Sequence, residues 1–246
     1  MKILLTNDDG LDSIGLEVLY DRVKELGDVI IIAPEFEQSA SSHRITLRRP
    51  VFVSQPRQNV YAVSGSPTDC IVLALRAKLF EKPDLVISGI NAGYNIGEDI
   101  LYSGTVAAAT EASLSGIPSI AVSTINTQKR KYYHQSAEIL KTIVDKVISL
   151  GGLWNLNVPG VDHCKGIKLA HLGHRIYDSK VEPRYDPYQR SYYWLAGDRP
   201  LWIQKPDTDC QILEQGYASL TPFKFTNMED KQLFGKMNKW LEQKKL

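Results

Sequence analysis

Cysteine is scarce in this sequence, and its spacing excludes two common uses of the residue. The three cysteines, Cys70, Cys164 and Cys210, lie far apart and form neither a CxxC pair nor a metal-ligand pattern. A disulfide framework or a thiolate zinc site would need a recognisable pattern of such pairs. We therefore expect free thiols in a reducing compartment.

Long apolar runs and an excess of charge are also missing. No stretch approaches the roughly 18 apolar residues that a membrane-spanning helix requires. The first residues, MKILLTNDDG, contain acidic side chains too early for a secretory segment. Basic and acidic residues number 29 and 28, for a formal net charge of +1. This balance argues against nucleic-acid or membrane-surface binding, so we expect a cytoplasmic protein without such partners.

What is present is an alternation of short apolar runs and helical patterns. Apolar runs predict strands at 2–6, 28–34, 83–89, 118–124 and 153–159, and periodic patterns predict helices at 16–26, 67–80, 105–116 and 134–150. Continuous apolar strands that alternate with helices are typical of an α/β fold with a mostly parallel sheet covered on both faces.

The composition changes after residue 165. Residues 166–206 are rich in Tyr, Arg, Pro and Asp without helical periodicity, and they predict an extended hairpin arm. Residues 228–245 predict an amphipathic C-terminal helix, with apolar positions at Met228, Leu233, Phe234, Met237 and Leu241. We therefore divide the chain into a catalytic domain, 1–165, and a segment, 166–246, that holds the arm, a return strand and the C-terminal helix.

The arm has the composition of an interface. It interleaves aromatic side chains with arginines, the residue types that interface centres favour, and it holds few lysines. A monomer would have to leave this apolar area in water or fold it onto its own sheet. We expect a homodimer or homotetramer in which the arm or the C-terminal helix crosses to the partner, and an arm packed on its own domain is the alternative.

Three polar clusters follow predicted strands. Asp8 and Asp9 come directly after the first strand, and residues 34–46 and 88–105 follow the strands at 28–34 and 83–89. The carboxyl ends of parallel strands meet at one edge of a sheet, where ligands bind. Adjacent carboxylates raise one another's proton affinity unless a positive charge lies between them. Asp8 and Asp9 are therefore either solvated in an ordinary turn or bound to a cation.

The end of the third cluster favours an anion. Ser103-Gly104-Thr105 precedes the small-residue helix VAAATEAS, and a helix start offers unpaired N–H groups and a partial positive charge. The alternative is that Ser103 only caps the helix. Neither GxGxxG nor GxxxxGK[ST] occurs, which argues against a nicotinamide-dependent dehydrogenase and a P-loop enzyme. Carboxylate, hydroxyl and amide oxygens suit Mg²⁺ or Mn²⁺, and a cation opposite a phosphate cradle predicts phosphoester hydrolysis.

Several motifs together resemble the SurE survival-protein family of metal-dependent nucleotidases. They are ILLTNDDG, APEFEQSASSHRIT, SGSPTDC, PDLVISGINAGYNIGEDILYSGTVAAATEA and GIPSIAVS, followed by NLNVP and DTDCQILEQGYASLTP. The resemblance runs in order through about the first 125 residues and extends toward the C-terminus. It implies a Rossmann-like three-layer α/β/α domain, and assembly into dimers or tetramers by exchange of C-terminal segments.

The resemblance also implies an activity and a set of site residues. The activity is hydrolysis of nucleoside monophosphates to nucleoside and phosphate with one Mg²⁺ or Mn²⁺ per subunit. The implied metal ligands are Asp8, Asp9, Ser39 and Asn91, of which Asp8, Asp9 and Asn91 are also expected to be catalytic. The expected substrate and phosphate contacts are Asn7, Gly89, Asn91, Ser103, Gly104 and Thr105. His43 lies near a site loop, and we interpret it as structural.

Two positions depart from the family's usual pattern. Ala40 replaces the usual Gly after the metal-binding Ser, and it restricts the φ angle of that loop, whereas Ser66 replaces a usual Thr and keeps the hydroxyl. Two other functions remain open: a phosphatase that forms an aspartyl-phosphate on Asp8 or Asp9, and a nucleotide sensor without turnover.

Overall fold

The computed structural model describes residues 1–77, 79–176, 179–197, 201–203, 205–225 and 231–244. The strands are β1 (Lys2–Thr6), β2 (Asp28–Pro34), β3 (Val53–Arg57), β4 (Val60–Val63), β5 (Leu85–Ala92), β6 (Ser119–Thr124), β7 (Leu153–Val158), β8 (Ile167–Leu169), β9 (Arg175–Ile176), β10 (Ser179–Tyr185), β11 (Ser191–Gly197), β12 (Leu201–Trp202) and β13 (Ala218–Phe223). The α-helices are α1 (Ile14–Val23), α2 (Pro67–Arg76), α3 (Gly104–Leu114), α4 (Arg130–Lys141), α5 (Val144–Leu150), α6 (Asp209–Glu214) and α7 (Lys231–Lys244), and a 3₁₀ turn spans Gly97–Leu101.

A nine-stranded sheet forms the centre of the molecule. Its strand order is β3-β4-β2-β1-β5-β6-β7-β13-β8. The pairings are parallel except at β3–β4 and at β7–β13, which are antiparallel. The chain moves outward from β1 to β2 and β4, then returns to place β5 on the other side of β1. The switch point between β1 and β5 is where open α/β sheets bind ligands.

Helices cover both faces of the sheet because strand side chains alternate in direction. Ile3 and Leu5 of β1 pack with α1, α4 and α5, whereas Leu4 packs with α2 and α3 on the opposite face. All three are essentially buried. The predicted Rossmann-like α/β/α fold, with its mostly parallel sheet, is confirmed.

Some element boundaries differ from the prediction. The helix predicted at 134–150 was wrong as a single element, because α4 ends at Lys141 and α5 begins at Val144. At the break, the Thr142 hydroxyl donates to the Ile139 carbonyl at 2.7 Å, which draws the chain into a tighter turn. Strands β3 and β4 were not predicted: every residue of β3 is exposed, and β4 is a mostly buried run of only four residues.

The C-terminal segment contains the predicted hairpin. β10 and β11 pair antiparallel from Ser179–Gly197 to Tyr185–Ser191. Helix α7 occupies the predicted C-terminal position, while residues 228–230 and 245 of that prediction, with Met228, lie outside the described residues. β8 and β13 join the central sheet, and the proposed division at residue 165 stays a prediction. None of the described helices is long and apolar enough to cross a membrane.

Candidate active site

A cavity of about 330 Å³ opens where β1 and β5 end. Four of its lining residues, Asp8, Asp9, Ser39 and Asn91, are the predicted metal ligands, and a fifth, Ser103, is a predicted phosphate contact. They come from the ends of β1 and β5, from the loop after β2 and from the residue before α3. The structure therefore brings together side chains that are separated by up to about a hundred positions in the chain.

Asp8 is held at the N-terminus of α3. It is 4% exposed, and the Thr105 hydroxyl donates to its Oδ1 while the Thr105 backbone N–H donates to Oδ2 at 3.0 Å. Burial raises the pKa of Asp8, and the hydrogen bonds from Thr105 partly oppose that rise. The helix dipole places partial positive charge beside this carboxylate. Thr105 thus positions Asp8, and its predicted phosphate contact stays a prediction.

Asp9 is held on the other side of the cavity. Its Oδ2 accepts the backbone N–H of Ala92, at the end of β5, at 3.1 Å. Burial is the larger cause, and repulsion from Asp8 the next, of a rise in the pKa of Asp9 to about 6. Both neighbouring carboxylates have raised pKa values, and a bound cation would reduce the repulsion between their ionised forms.

Oxygen atoms of Ser39 and Asn91 complete the predicted ligand set. The side-chain N–H of Asn91 donates to the Gly93 carbonyl at 2.7 Å. This hydrogen bond leaves the side-chain amide oxygen available to bind a cation. The Ser39 hydroxyl donates to Glu37 at 2.5 Å, so it would have to exchange that partner to bind a cation. Among the described residues, no three His, Cys, Asp or Glu side chains gather as metal ligands. The donors are two carboxylates, a hydroxyl and an amide oxygen, a set that fits a hard divalent cation.

Ser103 lines the cavity beside Asp8, and Gly104 packs directly against Asp8. Ser103 caps α3 by accepting the Val106 N–H at 3.1 Å. A methyl group at Gly104 would lie 2.7 Å from Ser41 Oγ and 2.9 Å from Asp8 Cβ, so only glycine fits. The Ser41 hydroxyl is buried without a hydrogen-bond partner in the described part of the chain. No functional role was predicted for Ser41, although Ser41 belongs to the same serine-rich loop as Ser39.

Four predicted phosphate contacts do not line the cavity: Gly104 and Thr105, which contact Asp8, and Asn7 and Gly89. Asn7 is fully buried and donates to the Gly10 carbonyl at 2.8 Å and to Ser13 Oγ at 2.6 Å, which braces the turn after β1. Gly89 lies inside β5, where an added Cβ would approach the Val122 carbonyl oxygen to 2.3 Å. These contacts support the turn and the strand that carry the site, and a direct role in binding phosphate stays a prediction.

The cavity also has lining residues that sequence reasoning missed. They are Ala40, Ala92, Asn95, Asp99 and Tyr102. The backbone carbonyl of Asn95 accepts from Asn155 at 2.7 Å and from Asn157 at 3.0 Å, both in β7. The motif NLNVP, quoted above for the family resemblance, carries these two asparagines. Their side chains point to the same face of the sheet, because residues two apart on a strand do so.

The base of the arm contacts the 3₁₀ turn that forms part of the cavity wall. Asp99, in the 3₁₀ turn, forms an ion pair with Arg175 of β9, and both side chains are largely buried. The Arg175 guanidinium lies 4.9 Å from the ring centre of Trp202. Buried Asp209 accepts the N–H groups of Gly97 at 2.9 Å and Gly173 at 2.8 Å. The C-terminal segment therefore fixes the turn that precedes Ser103.

The positions that depart from the usual family pattern are explained by local geometry. Ala40 has a φ of 54°, in the left-handed region that glycine adopts without cost. Ser66 caps α2 in a capping box with Asp69, and its hydroxyl also donates to the Arg44 carbonyl at 2.5 Å. His43 lies 3.1 Å from Glu111 of α3, a contact that ties the loop after β2 to that helix.

Comparisons with known proteins identify the family of this chain. The family model described as Survival protein SurE matches residues 3–179. The chain belongs to the SurE family. A protein named 5'-nucleotidase SurE from Thermoanaerobacter sp. (strain X514) is 40% identical over 248 residues, covering 98% of each chain. Its namesake from Desulfitobacterium hafniense (strain DSM 10664 / DCB-2) is 43% identical over 228 residues, covering 90% of each chain.

The similarity extends to a solved structure. The crystal structure of the SurE protein from Aquifex aeolicus has a TM-score of 0.83 and 36% sequence identity, and the match covers 97% of this chain and 100% of that one. The residues matched by the SurE family model include every predicted site residue and reach the first residue of β10.

Proposed function

We propose that this SurE-family protein is a metal-dependent 5'-nucleotidase that hydrolyses nucleoside monophosphates to nucleoside and phosphate. The observation that carries the proposal is the placement of two adjacent carboxylates, buried Asp8 and half-buried Asp9, in one cavity at the switch point of the sheet, with Asp8 held by the N-terminus of α3. The names of the relatives from Thermoanaerobacter and Desulfitobacterium support the same activity.

Asp8, Asp9, Ser39 and Asn91 would hold one Mg²⁺ or Mn²⁺ per subunit. Both carboxylates have raised pKa values without the cation, and their oxygen donors match the preference of these ions. The chemistry that the bound cation supplies is polarisation of phosphoryl oxygens and a lower pKa for a water molecule.

Residues around the cavity fix the orientation of the two carboxylates. Thr105 fixes both oxygens of Asp8, and the Ala92 N–H fixes one oxygen of Asp9. The Ser103 hydroxyl, which lies on the cavity wall with Asp8, would donate to a bound phosphate. The engagement of both Asp8 oxygens by Thr105 favours attack by water over formation of an aspartyl-phosphate on Asp8.

We also propose a homodimer or homotetramer and a cytoplasmic location. The hairpin exposes large apolar side chains, with Tyr188 at 82%, Trp194 at 61% and Leu195 at 88% exposure, which favours a partner subunit. All three cysteines are free thiols, which is compatible with a reducing compartment.

The test is phosphate release from 5'- and 3'-nucleoside monophosphates with Mg²⁺, Mn²⁺ or excess chelator. We expect cation-dependent turnover of the 5'-monophosphates. Binding of nucleotide without turnover under every condition would favour the sensor, and a trapped phosphoenzyme would favour the aspartyl-phosphate mechanism.

A further inference from the structure

One aromatic side chain stands on the wall of the active-site cavity. Tyr102 lines the cavity and is 61% exposed. Among the described lining residues it alone carries a ring, since the others are small or carry carboxylate, amide or hydroxyl groups. Tyr102 directly precedes Ser103, the cap of α3. The ring therefore leaves the backbone one residue before the proposed phosphate contact.

The backbone of Tyr102 is fixed on both sides. Its N–H donates to the Asp99 carbonyl at 3.0 Å, and its carbonyl accepts the Ser42 N–H at 3.0 Å. The Asp99 carbonyl also accepts the N–H of Ser103 at 3.2 Å, so one oxygen sets the positions of both residues. Binding a ligand to a ring on a pre-positioned backbone has a smaller entropic cost than ordering a loose segment.

We propose that Tyr102 stacks on the base of the bound nucleotide and makes this site selective for phosphate monoesters that carry a heterocyclic base. The inference rests on the proposed function. A phosphate held at Ser103 leaves the rest of the ester to extend along a cavity that Tyr102 also lines, and the exposed side chain of Tyr102 is accessible to a ligand there. Base–aromatic stacking is worth about 1–3 kcal/mol and tolerates any base, because every base has a π face.

The interaction sets a definite pattern of specificity. Purine and pyrimidine monophosphates are both accepted, with purines favoured by their larger face. Phosphate monoesters without a ring, such as glycerol 3-phosphate, lose this contact but keep the contacts to phosphate. The selectivity therefore resides in the ring of Tyr102 and does not require its hydroxyl.

The experiment compares kcat/KM for AMP, CMP and glycerol 3-phosphate in the wild type, Tyr102→Ala, Tyr102→Leu and Tyr102→Phe. The measured quantity is the ratio of kcat/KM for AMP to that for glycerol 3-phosphate. We expect this ratio to fall roughly 5- to 100-fold in the Ala and Leu variants, mainly through KM for AMP. The Phe variant should keep the ratio within about threefold of the wild-type value, since it retains the ring.

Tyr20→Ala is the matched control, because Tyr20 is a partly exposed tyrosine on α1 outside this cavity. It should leave the ratio unchanged. An unchanged ratio in Tyr102→Ala, or an equal loss for AMP and glycerol 3-phosphate, would overturn the inference. A loss in Tyr102→Phe as large as in Tyr102→Ala would assign the effect to the hydroxyl and also overturn it.

Failure of the proposed function gives a different result. In that case the wild type hydrolyses none of the three esters with any divalent cation. Calorimetric binding of AMP and of inorganic phosphate then tests Tyr102 independently of turnover. Stacking predicts that Tyr102→Ala weakens AMP binding far more than phosphate binding, and equal affinities of wild type and variant for AMP would contradict it.

Discussion

At the scale of single residues, the site depends on how Asp8 is held. Thr105 donates its hydroxyl and its N–H to the two oxygens of this carboxylate, and Gly104 leaves no space for a side chain beside it. Hydrogen bonds to a metal-ligating carboxylate orient it and tune its basicity. The phosphate contact predicted for Thr105 stays a prediction, and its hydrogen bonds in the structure make it a residue that positions Asp8.

Replacing Thr105 by Val removes the hydroxyl and keeps the shape. We expect Mg²⁺ or Mn²⁺ affinity to fall about 10- to 100-fold, as is typical when a residue that supports a metal ligand is lost. The control is Thr110→Val on the same helix, whose hydroxyl donates to the Val106 carbonyl. Calorimetric titration of both variants with metal checks the prediction, and equal affinities in the two variants would contradict it.

The carboxylate of Asp9 predicts a pH dependence of metal binding. Its pKa is raised to about 6 when no cation is bound, so below that pH a proton competes for the site. Apparent affinity should therefore be level above about pH 7 and fall about tenfold or more per unit below pH 6. The pKa of Asp8 is also raised, which steepens the fall. Isothermal titration from pH 5 to pH 8 measures this, and an affinity independent of pH over that range would contradict it.

The raised pKa of Asp9 also determines how the stability of the metal-free protein changes with pH. Between the usual carboxyl pKa and about 6, the native state without metal binds more protons at Asp9 than the unfolded state does. The free energy of unfolding contributed by this group therefore decreases as pH rises through that window. A bound cation opposes this loss, so the stabilisation by added Mg²⁺ should be larger at pH 7.5 than at pH 5.

At the scale of secondary-structure elements, the base of the arm supports the active site. The 3₁₀ turn that contains Asp99 is held by Arg175 of β9 and by Asp209 at the start of α6. The same turn leads directly into Ser103 and α3. Residues 175 and 209 thus support a cavity whose lining residues all lie between Asp8 and Ser103.

Arg175→Ala tests this support. Loss of the largely buried ion pair with Asp99 should loosen the turn and lower kcat/KM about tenfold or more, since small misplacements of positioning groups are costly. Metal affinity should change little, because Asp8 and Asp9 are held by other elements. Arg184→Ala is the control, as Arg184 pairs with Glu182 within the exposed hairpin. Equal kcat/KM in the two variants would refute the coupling of arm base and site.

Secondary-structure elements were predicted correctly where neighbouring residues mark their ends. β1 and β2 have the predicted bounds, because apolar runs end at clear turn residues. The break between α4 and α5 and the exposed strand β3 lack a comparable signal. Asp8, Asp9 and Asn91 could be placed together, because ends of parallel strands share one edge. Asp99 could not be paired with Arg175, since nothing in a 76-residue separation indicates their contact.

At the scale of the whole molecule, the hairpin should determine assembly. Trp194 and Leu195 of β11 are exposed and do not line the active-site cavity. Because Ser179 pairs with Gly197, residues 180–196 can be replaced by a two-residue Asn-Gly turn. We expect this variant to form smaller particles by light scattering and to keep its metal affinity. An intact protein that is monomeric at micromolar concentration would contradict the proposed assembly.

We propose that Asp8 and Asp9 bind the cation that hydrolysis requires. AMP hydrolysis as a function of Mg²⁺ and Mn²⁺ concentration in the wild type, Asp9→Asn and Asp12→Asn tests this role of the two carboxylates. Asp12 lies in the turn just after Asp9 and outside the active-site cavity, which makes it a matched control. We predict saturable cation dependence in the wild type and in Asp12→Asn, and a loss of about 100-fold or more in Asp9→Asn. Full activity of the wild type in excess chelator, or of Asp9→Asn at any cation concentration, would contradict the account.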